Sequence, residues 1–358
     1  MFHQIHSPCA SVALDLRVGH LRGFAAQHDN RKLTPLFTAP WADQAISHDP
    51  PVERYLSGDF FCAPFAESDI EPAPLHGWSA NSAWSLTENI SEAEAIFALN
   101  REILGARLFK HLRCAPDAPV LYQCHWFVGG SGAIPVAHHV VTHMQNGGQI
   151  SHSPKRLALT PDAVVGTDMN ALQYPAQSDD LTRFPAPTGV ADLTRFPLSD
   201  CHDDFVALID AQTQQIGWTA VLRNAEDDIL IVLRDAAVLP TTMLWFAHGS
   251  LRDPPWNGLQ GVLGIEDGCS GLHSGHRRSL EPSQLTELGV RTALNLRADY
   301  VVEIRHAIVA VARPDQWNAI DRITVRNGTL EVTEAGGKQL CLPFDDQFFA
   351  DQNASGSA

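Results

Sequence analysis

Val120-Leu121-Tyr122-Gln123-Cys124-His125-Trp126-Phe127-Val128 is the stretch that decides the fold class of this chain. Side chains alternate across a strand, so Val120, Tyr122, Cys124, Trp126 and Val128 share one apolar face. Leu121, Gln123, His125 and Phe127 share a mixed face, and the run stops at Gly129-Gly130. Outward from it, strand patterns dominate. Residues 218–222 and 229–233 are β-rich runs around the acidic turn 224–228 and predict a hairpin. Residues 323–326 and 329–332 flank Asn327-Gly328, a dipeptide that supplies the positive φ angles of a type I′ turn. Gly336-Gly337 leads into a further strand at 339–342.

Helical signals are few. Residues 91–100 open with a capping box, Ser91 with Glu94, and predict two or three helical turns. Residues 282–288 predict another short helix. The 23 prolines and 25 glycines are spread over the whole length, as suits many strands joined by loops. Asp180-Leu181-Thr182-Arg183-Phe184-Pro185 recurs at 192–197, which reads as a loop or edge ornament, since two copies do not make a solenoid. With no dividing linker, the expectation is one all-β, antiparallel sandwich over residues 1–352, followed by a disordered tail at 353–358.

Composition narrows the function classes. The chain has 358 residues, 44% of them hydrophobic and 18% charged, enough apolar material for a large core. A formal net charge of −16 without any Lys/Arg run excludes a nucleic-acid partner, because phosphate binding needs a basic patch. No apolar run approaches the roughly 20 residues of a membrane helix, so no membrane partner is expected. The N-terminus lacks the apolar core of a signal peptide. Seven scattered cysteines without a C-x-x-C pair suit reduced thiols, and a cytoplasmic location is expected.

Three segments concentrate chemistry: Pro74-Leu75-His76-Gly77-Trp78, Ile134-Pro135-Val136-Ala137-His138-His139, and Gly261-Val262-Leu263-Gly264-Ile265-Glu266-Asp267-Gly268. In the third, a carboxylate ends an apolar strand beside glycine. Partial desolvation there would raise its pKa toward the range of a general base. In order and rough spacing these segments resemble the aldose 1-epimerase (galactose mutarotase) superfamily, in its divergent branches. Pro-Leu-His-Gly at 74–77 looks like that family's "LHG" motif. The run ending at His139 looks like its catalytic-histidine strand, and Ile265-Glu266 like its catalytic-glutamate strand.

The resemblance implies a large β-supersandwich that holds a small-molecule carbohydrate in an open cleft, without metal or cofactor. It implies an isomerase that interconverts the anomers of a free sugar. Ring opening removes a proton from the anomeric hydroxyl and delivers one to the ring oxygen, so one group acts as base and another as acid. Glu266 takes the first role and His139 the second, while His76 hydrogen-bonds a sugar oxygen. Of His138 and His139 only one can face the cleft, and the resemblance selects His139. Asn81, Trp84, Trp245, His248, Arg252 and Trp256 are the further substrate-binding candidates, the tryptophans as stacking surfaces for a sugar's apolar faces.

The chain departs from the better-known members in lacking an Asn-Arg pair before the LHG motif. Residues 62–69 hold no arginine, and Arg252 or Arg22 is a candidate substitute. Two alternatives therefore stand beside the epimerase: a non-catalytic carbohydrate-binding protein, and a sugar-acid isomerase or lyase with Arg252 as the carboxylate clamp. The histidines at 138, 139, 143 and 152 imitate a metal cluster, but no H-E-x-x-H motif is present. His273 and His276 fall in a Gly/Ser-rich loop that either lies on the surface or covers the cleft. Ser131 misses the G-x-S-x-G elbow of serine hydrolases. Strand edges leave a monomer or a homodimer open.

Overall fold

The structure, a computed structural model, describes residues 1–44, 46, 48–211 and 215–350. The expected tail at 353–358 lies outside these residues. At 49% strand and 5% helix the chain is all-β. Two large sheets form the sandwich. One has seven strands in the order Gln177–Ser178, Lys155–Leu159, His202–Asp210, Thr241–His248, Val262–Cys269, Val136–His143 and Asp59–Cys62. The other has nine: Arg195–Phe196, Gly148–His152, Ile216–Arg223, Asp228–Asp235, Val301–Ala312, Val120–Gly129, Ala106–Cys114, Glu94–Leu99 and Trp84–Ser91. Neighbours in both sheets are antiparallel.

Period-two patterning explains the layering. In Val136–His143, the residues Val136 and Val140 face the nine-stranded sheet and join its hydrophobic cluster with Phe127, Leu230 and Ile308. Ala137 and Val141 face the other way and pack with Phe60, Phe205 and Met243. Both faces of this sheet are therefore covered, one by the partner sheet and one by loops. The outer face of the nine-stranded sheet is covered in turn by a C-terminal meander, Ile320–Arg326, Thr329–Glu334 and Gln339–Pro343. The hairpin expected at Asn327-Gly328 is present, with φ of 52° and 73° at the two residues. The pair Ile216–Arg223 and Asp228–Asp235 realises the other expected hairpin. A four-stranded N-terminal meander runs from Phe2 to Leu33.

In Val120–Gly129 the mixed face is the one turned to the sandwich interior: Leu121, Gln123, His125 and Phe127 are all buried. Tyr122, from the apolar face, packs under the C-terminal meander.

The helix expected over 91–100 is instead the end of Trp84–Ser91 and the strand Glu94–Leu99. Ala95, Phe97 and Leu99 are buried in alternation, a period of two that a helix cannot place on one face. The Ser91 hydroxyl accepts the amide of Ala93 at 3.2 Å and so closes a turn in place of capping a helix. The second expected helix is a single turn, Gln284–Glu287, capped by Ser283.

Candidate active site

A cavity of about 320 Å³ opens on the loop-covered face of the seven-stranded sheet. Its floor is made by adjacent strands. His139 and Glu266 are direct cross-strand partners, and His139 Nε2 lies 3.1 Å from Glu266 Oε1. Gly264, two residues before Glu266, belongs to the same face. A Cβ there would sit 3.0 Å from His139 Cε1 and 3.2 Å from Glu266 Oε1, so any larger residue at this point would press on the pair.

His139 is held from two sides. Its ring stacks on Phe60 at 4.5 Å between centroids, and its backbone amide donates to Asp59 Oδ1 at 3.0 Å. Burial pushes its imidazolium down to about 3, against the opposing pull of the Asp59 charge. Burial likewise drives the Glu266 carboxyl well above the ordinary carboxylate range. Both shifts favour the uncharged form of each group, so a single proton placed on either member leaves the pair without net charge.

His76 enters from the loop before the short helical turn Trp78–Ala80. Its backbone has φ of +65°, a left-handed conformation unusual for a non-glycine residue. The next residue must be glycine, because a Cβ on Gly77 would lie 2.0 Å from the Ala63 carbonyl oxygen. The His76 amide donates to Ala66 O at 2.8 Å, and the Ala66 amide donates back to His76 Nδ1 at 3.3 Å. Nδ1 is therefore an acceptor and Nε2 carries the proton, a donor available to a ligand. The ring stands 5.6 Å from that of His139, and burial holds it well below the usual histidine range.

Further groups line the cavity. Trp245 Nε1 donates to Asp203 Oδ1 at 2.9 Å, and the Thr167 amide donates to Asp203 Oδ2 at 3.1 Å. Burial raises the Asp203 pKa. Trp256 donates to Glu53 Oε1 at 2.6 Å and meets Trp245 edge-on at 5.6 Å. His273 stands 6.3 Å from His76.

No family profile and no curated relative matches the chain. Solved structures do. A galactose mutarotase related enzyme from Lactobacillus acidophilus aligns at 12% identity over 88% of this chain and 99% of its own, with a TM-score of 0.58. A galactose mutarotase-like protein from Lactobacillus casei aligns at 11% identity over 87% and 100%, with a TM-score of 0.55. An Escherichia coli structure provisionally assigned as an aldose 1-epimerase gives 9% identity over 87% and 98%, with a TM-score of 0.61. This chain has the galactose mutarotase fold. Identities this low carry the fold and leave the chemistry to the residues of the cavity.

On this galactose mutarotase scaffold, His76, His139, Glu266, Trp245 and Trp256 come together in one cavity. Four of the expected binding residues do not. Asn81 is consumed by backbone: its Oδ1 accepts from Val52 N at 2.7 Å, and its Nδ2 donates to the Leu75 and Gly77 carbonyls, each at 2.7 Å. It shapes the loop that carries His76 without facing a ligand. Trp84 belongs to the inter-sheet core, donating to Ser79 O at 3.0 Å beneath the Lys110 ammonium. His248 accepts the Gly261 amide at 3.1 Å and packs on Phe196 and His202. Arg252 is exposed and lies outside the cavity lining. Arg22 pairs with Asp43, also outside it. Neither arginine lines the cavity.

Asp203, Glu53, Phe60 and Phe205 line the cavity without having been singled out by motif. A signal existed for Asp203: in His202–Asp210 it shares a strand face with Phe205 and Ala207. The loop bearing His273 covers the cavity, the second of the two readings left open for it.

His138 occupies the opposite face. Its Nδ1 lies 2.9 Å from Asp59 Oδ2, and its ring stacks on His306 at 4.0 Å and 5°. Asp59, His138 and His306 bring potential ligand atoms within 4.8 Å of one another. Parallel rings at this spacing leave no point in the plane of both imidazoles, as one metal ion would require. The cluster is instead part of a hydrogen-bonded charge network. Asp59 also accepts from Gln123 at 2.7 Å, and His306 lies 3.3 Å from Asp267. Asp267 and Asp210 each pair with Arg234 at 2.7 Å.

Proposed function

We propose that this protein is an aldose 1-epimerase-like isomerase that interconverts the anomers of a free sugar. The observation that supports it is the 3.1 Å contact between His139 and Glu266 on the cavity floor, with His76 beside them.

The chemistry follows from the single proton that the pair shares. When it resides on His139, Glu266 is a carboxylate and His139 an acid, the arrangement that ring opening requires. Glu266 accepts the proton of the anomeric hydroxyl, while His139 delivers its own to the ring oxygen as the C1–O5 bond breaks. The open aldehyde rotates about C1–C2. Reversal of both transfers closes the ring on the other face and returns each group to its starting state. His76 Nε2–H donates to a sugar oxygen, and Trp245 and Trp256 supply apolar ring surface. No net charge enters or leaves the cavity, which suits a site whose burial disfavours every charged form.

The test is NMR saturation exchange between anomers on a panel of free sugars, with Glu266→Gln as the control. Gln keeps the shape and a hydrogen bond to His139 but cannot take the proton. Exchange in the wild type should fall by about 10²–10⁴-fold in the variant. A sugar that binds by calorimetry without accelerated exchange would instead establish a non-catalytic binder.

A further inference from the structure

We infer that the cavity selects an uncharged deoxy sugar, one in which hydrogen replaces a hydroxyl and leaves a methyl or methylene group, and rejects phosphorylated and carboxylated sugars. This inference rests on the epimerase reading for its reaction and on the cavity lining for its substrate class.

The charge argument comes first. The ionisable side chains lining the cavity are the carboxyls of Glu53, Asp203 and Glu266 and the imidazoles of His76, His139 and His273. Burial lowers the pKa of each of these three imidazoles, favouring the neutral form. No lysine or arginine lines it among the described residues, and the sequence places neither at any of the remaining positions. A sugar phosphate or uronate would bury its anion unpaired beside Asp203, at a prohibitive desolvation cost.

The hydrogen-bonding inventory comes second. Glu53 is committed on both oxygens, to Trp256 at 2.6 Å and to His48 at 2.7 Å. The indole N–H of Trp245 is committed to Asp203. What remains for a ligand is His76 Nε2, the His139–Glu266 pair, His273 and the residual lone pairs of Asp203. Against these stands a wall of Val52, Leu56, Leu75, Val165 and Leu251 with the rings of Phe60 and Phe205. The side chains of this wall offer no hydrogen-bond partner, so a hydroxyl turned to it would lose its water without gaining one. A methyl or methylene group at that position buries apolar surface instead.

The experiment is titration calorimetry and anomer exchange on the full chain with 6-deoxygalactose and 6-deoxymannose. Each is set beside its parent hexose, with galactose 6-phosphate and galacturonate as the anionic arm. The expected result is that one deoxy sugar binds at least about tenfold more tightly than its parent, with no detectable binding of either anion. Parent hexoses binding as well as or better than both deoxy sugars, or binding of either anion, overturns the inference. Exchange separates the two readings. A deoxy sugar that binds preferentially but is not exchanged leaves the selectivity standing and removes the epimerase. Absence of binding across the panel removes both.

Discussion

His138 and His139 are consecutive residues with opposite surroundings. His138 lies 2.9 Å from Asp59 inside the sandwich, and His139 lies 3.1 Å from Glu266 at the cavity. The same inversion occurs on the next strand, where Glu266 faces the cavity and Asp267 pairs inward with Arg234. The cross-strand pairs His138↔Asp267 and His139↔Glu266 are adjacent rungs of one ladder. One rung ties the sheets together and the next presents a histidine–carboxyl contact to the cavity.

Substitutions at the two histidines should separate accordingly. His139→Gln is expected to lower anomer exchange by about 10²–10⁴-fold, with little change in thermal stability. His138→Ala leaves the Asp59 carboxylate buried with fewer partners and is expected to cost about 3 kcal/mol of stability, while exchange per folded molecule persists. Urea denaturation and NMR exchange on both variants check this. Loss of exchange in stable His138→Ala, with His139→Gln active, would exchange their roles.

The pH dependence of exchange should lack an ordinary histidine limb. Burial pushes His139 down to about 3 and Glu266 upward, so acidification through the ordinary histidine range puts no second proton on the pair. A second proton arrives only as the pH falls toward the lowered value. Exchange rates measured as the pH falls from about 6.5 to 5 should show no loss from protonation of His139, whereas an unperturbed imidazole would titrate near 6.5. A decline centred at that value would show that His139 titrates as an exposed group.

Global stability should fall on mild acidification. His20 and His138 are pushed down to about 4 by burial, and His152 to about 3. Their unfolded counterparts titrate near 6.5. Below that value the unfolded chain binds more protons than the folded one, so stability is complete above about pH 6.5 and is lost as the pH falls toward 4. Asp59 and Asp267 are held below the usual carboxylate range despite their burial. Asp59 is favoured by its contact with His138 and Asp267 by the charge on Arg234, and their contribution is lost further down, below about 4. Urea midpoints should therefore hold from pH 7.5 to about 6.5 and decrease from there to pH 4.5; a constant midpoint contradicts the neutral, buried state of these rings.

Arg234→Met tests the network between the sheets. The guanidinium is fully buried and pairs with both Asp210 and Asp267. Its removal leaves two carboxylates short of their main counter-charge, and a loss of about 3–5 kcal/mol is expected. Arg252→Ala serves as the contrast: the side chain is exposed and outside the cavity, so stability and sugar affinity should both stay within experimental error. Weakened sugar binding in Arg252→Ala would mean that the arginine reaches the ligand after all.

Much of the fold was legible because strand patterning is local. Alternation in 120–128, the Asn327-Gly328 turn and the acidic hairpin at 224–228 are each encoded within a few residues, and each is observed. The error at 91–100 has a local cause too. Ser91 and Glu94 offer a helix cap, and only the burial of Ala95, Phe97 and Leu99 in a sheet overrules it. In the cavity, the His76, His139 and Glu266 segments were visible through motif spacing. Glu53 was not, since nothing in its own surroundings distinguishes it from other acidic residues, and the one mark on Asp203 was the strand face it shares with Phe205 and Ala207. Asn81 and Trp84 misled for the complementary reason: their hydrogen-bonding and stacking capacity is spent on backbone and core.

The sequence by itself determined that the chain is β-rich and acidic, and that three separated segments carry histidine and glutamate beside glycine or an apolar strand. These are properties of short windows and of total composition. Only the tertiary structure decided which of two neighbouring histidines meets Glu266, and which tryptophans face a cavity. It also decided that no lysine or arginine among the described residues lines that cavity. Strand register and the packing of one sheet on another set those outcomes, because a side chain's face has meaning only once the strand beside it and the sheet beneath it are in place.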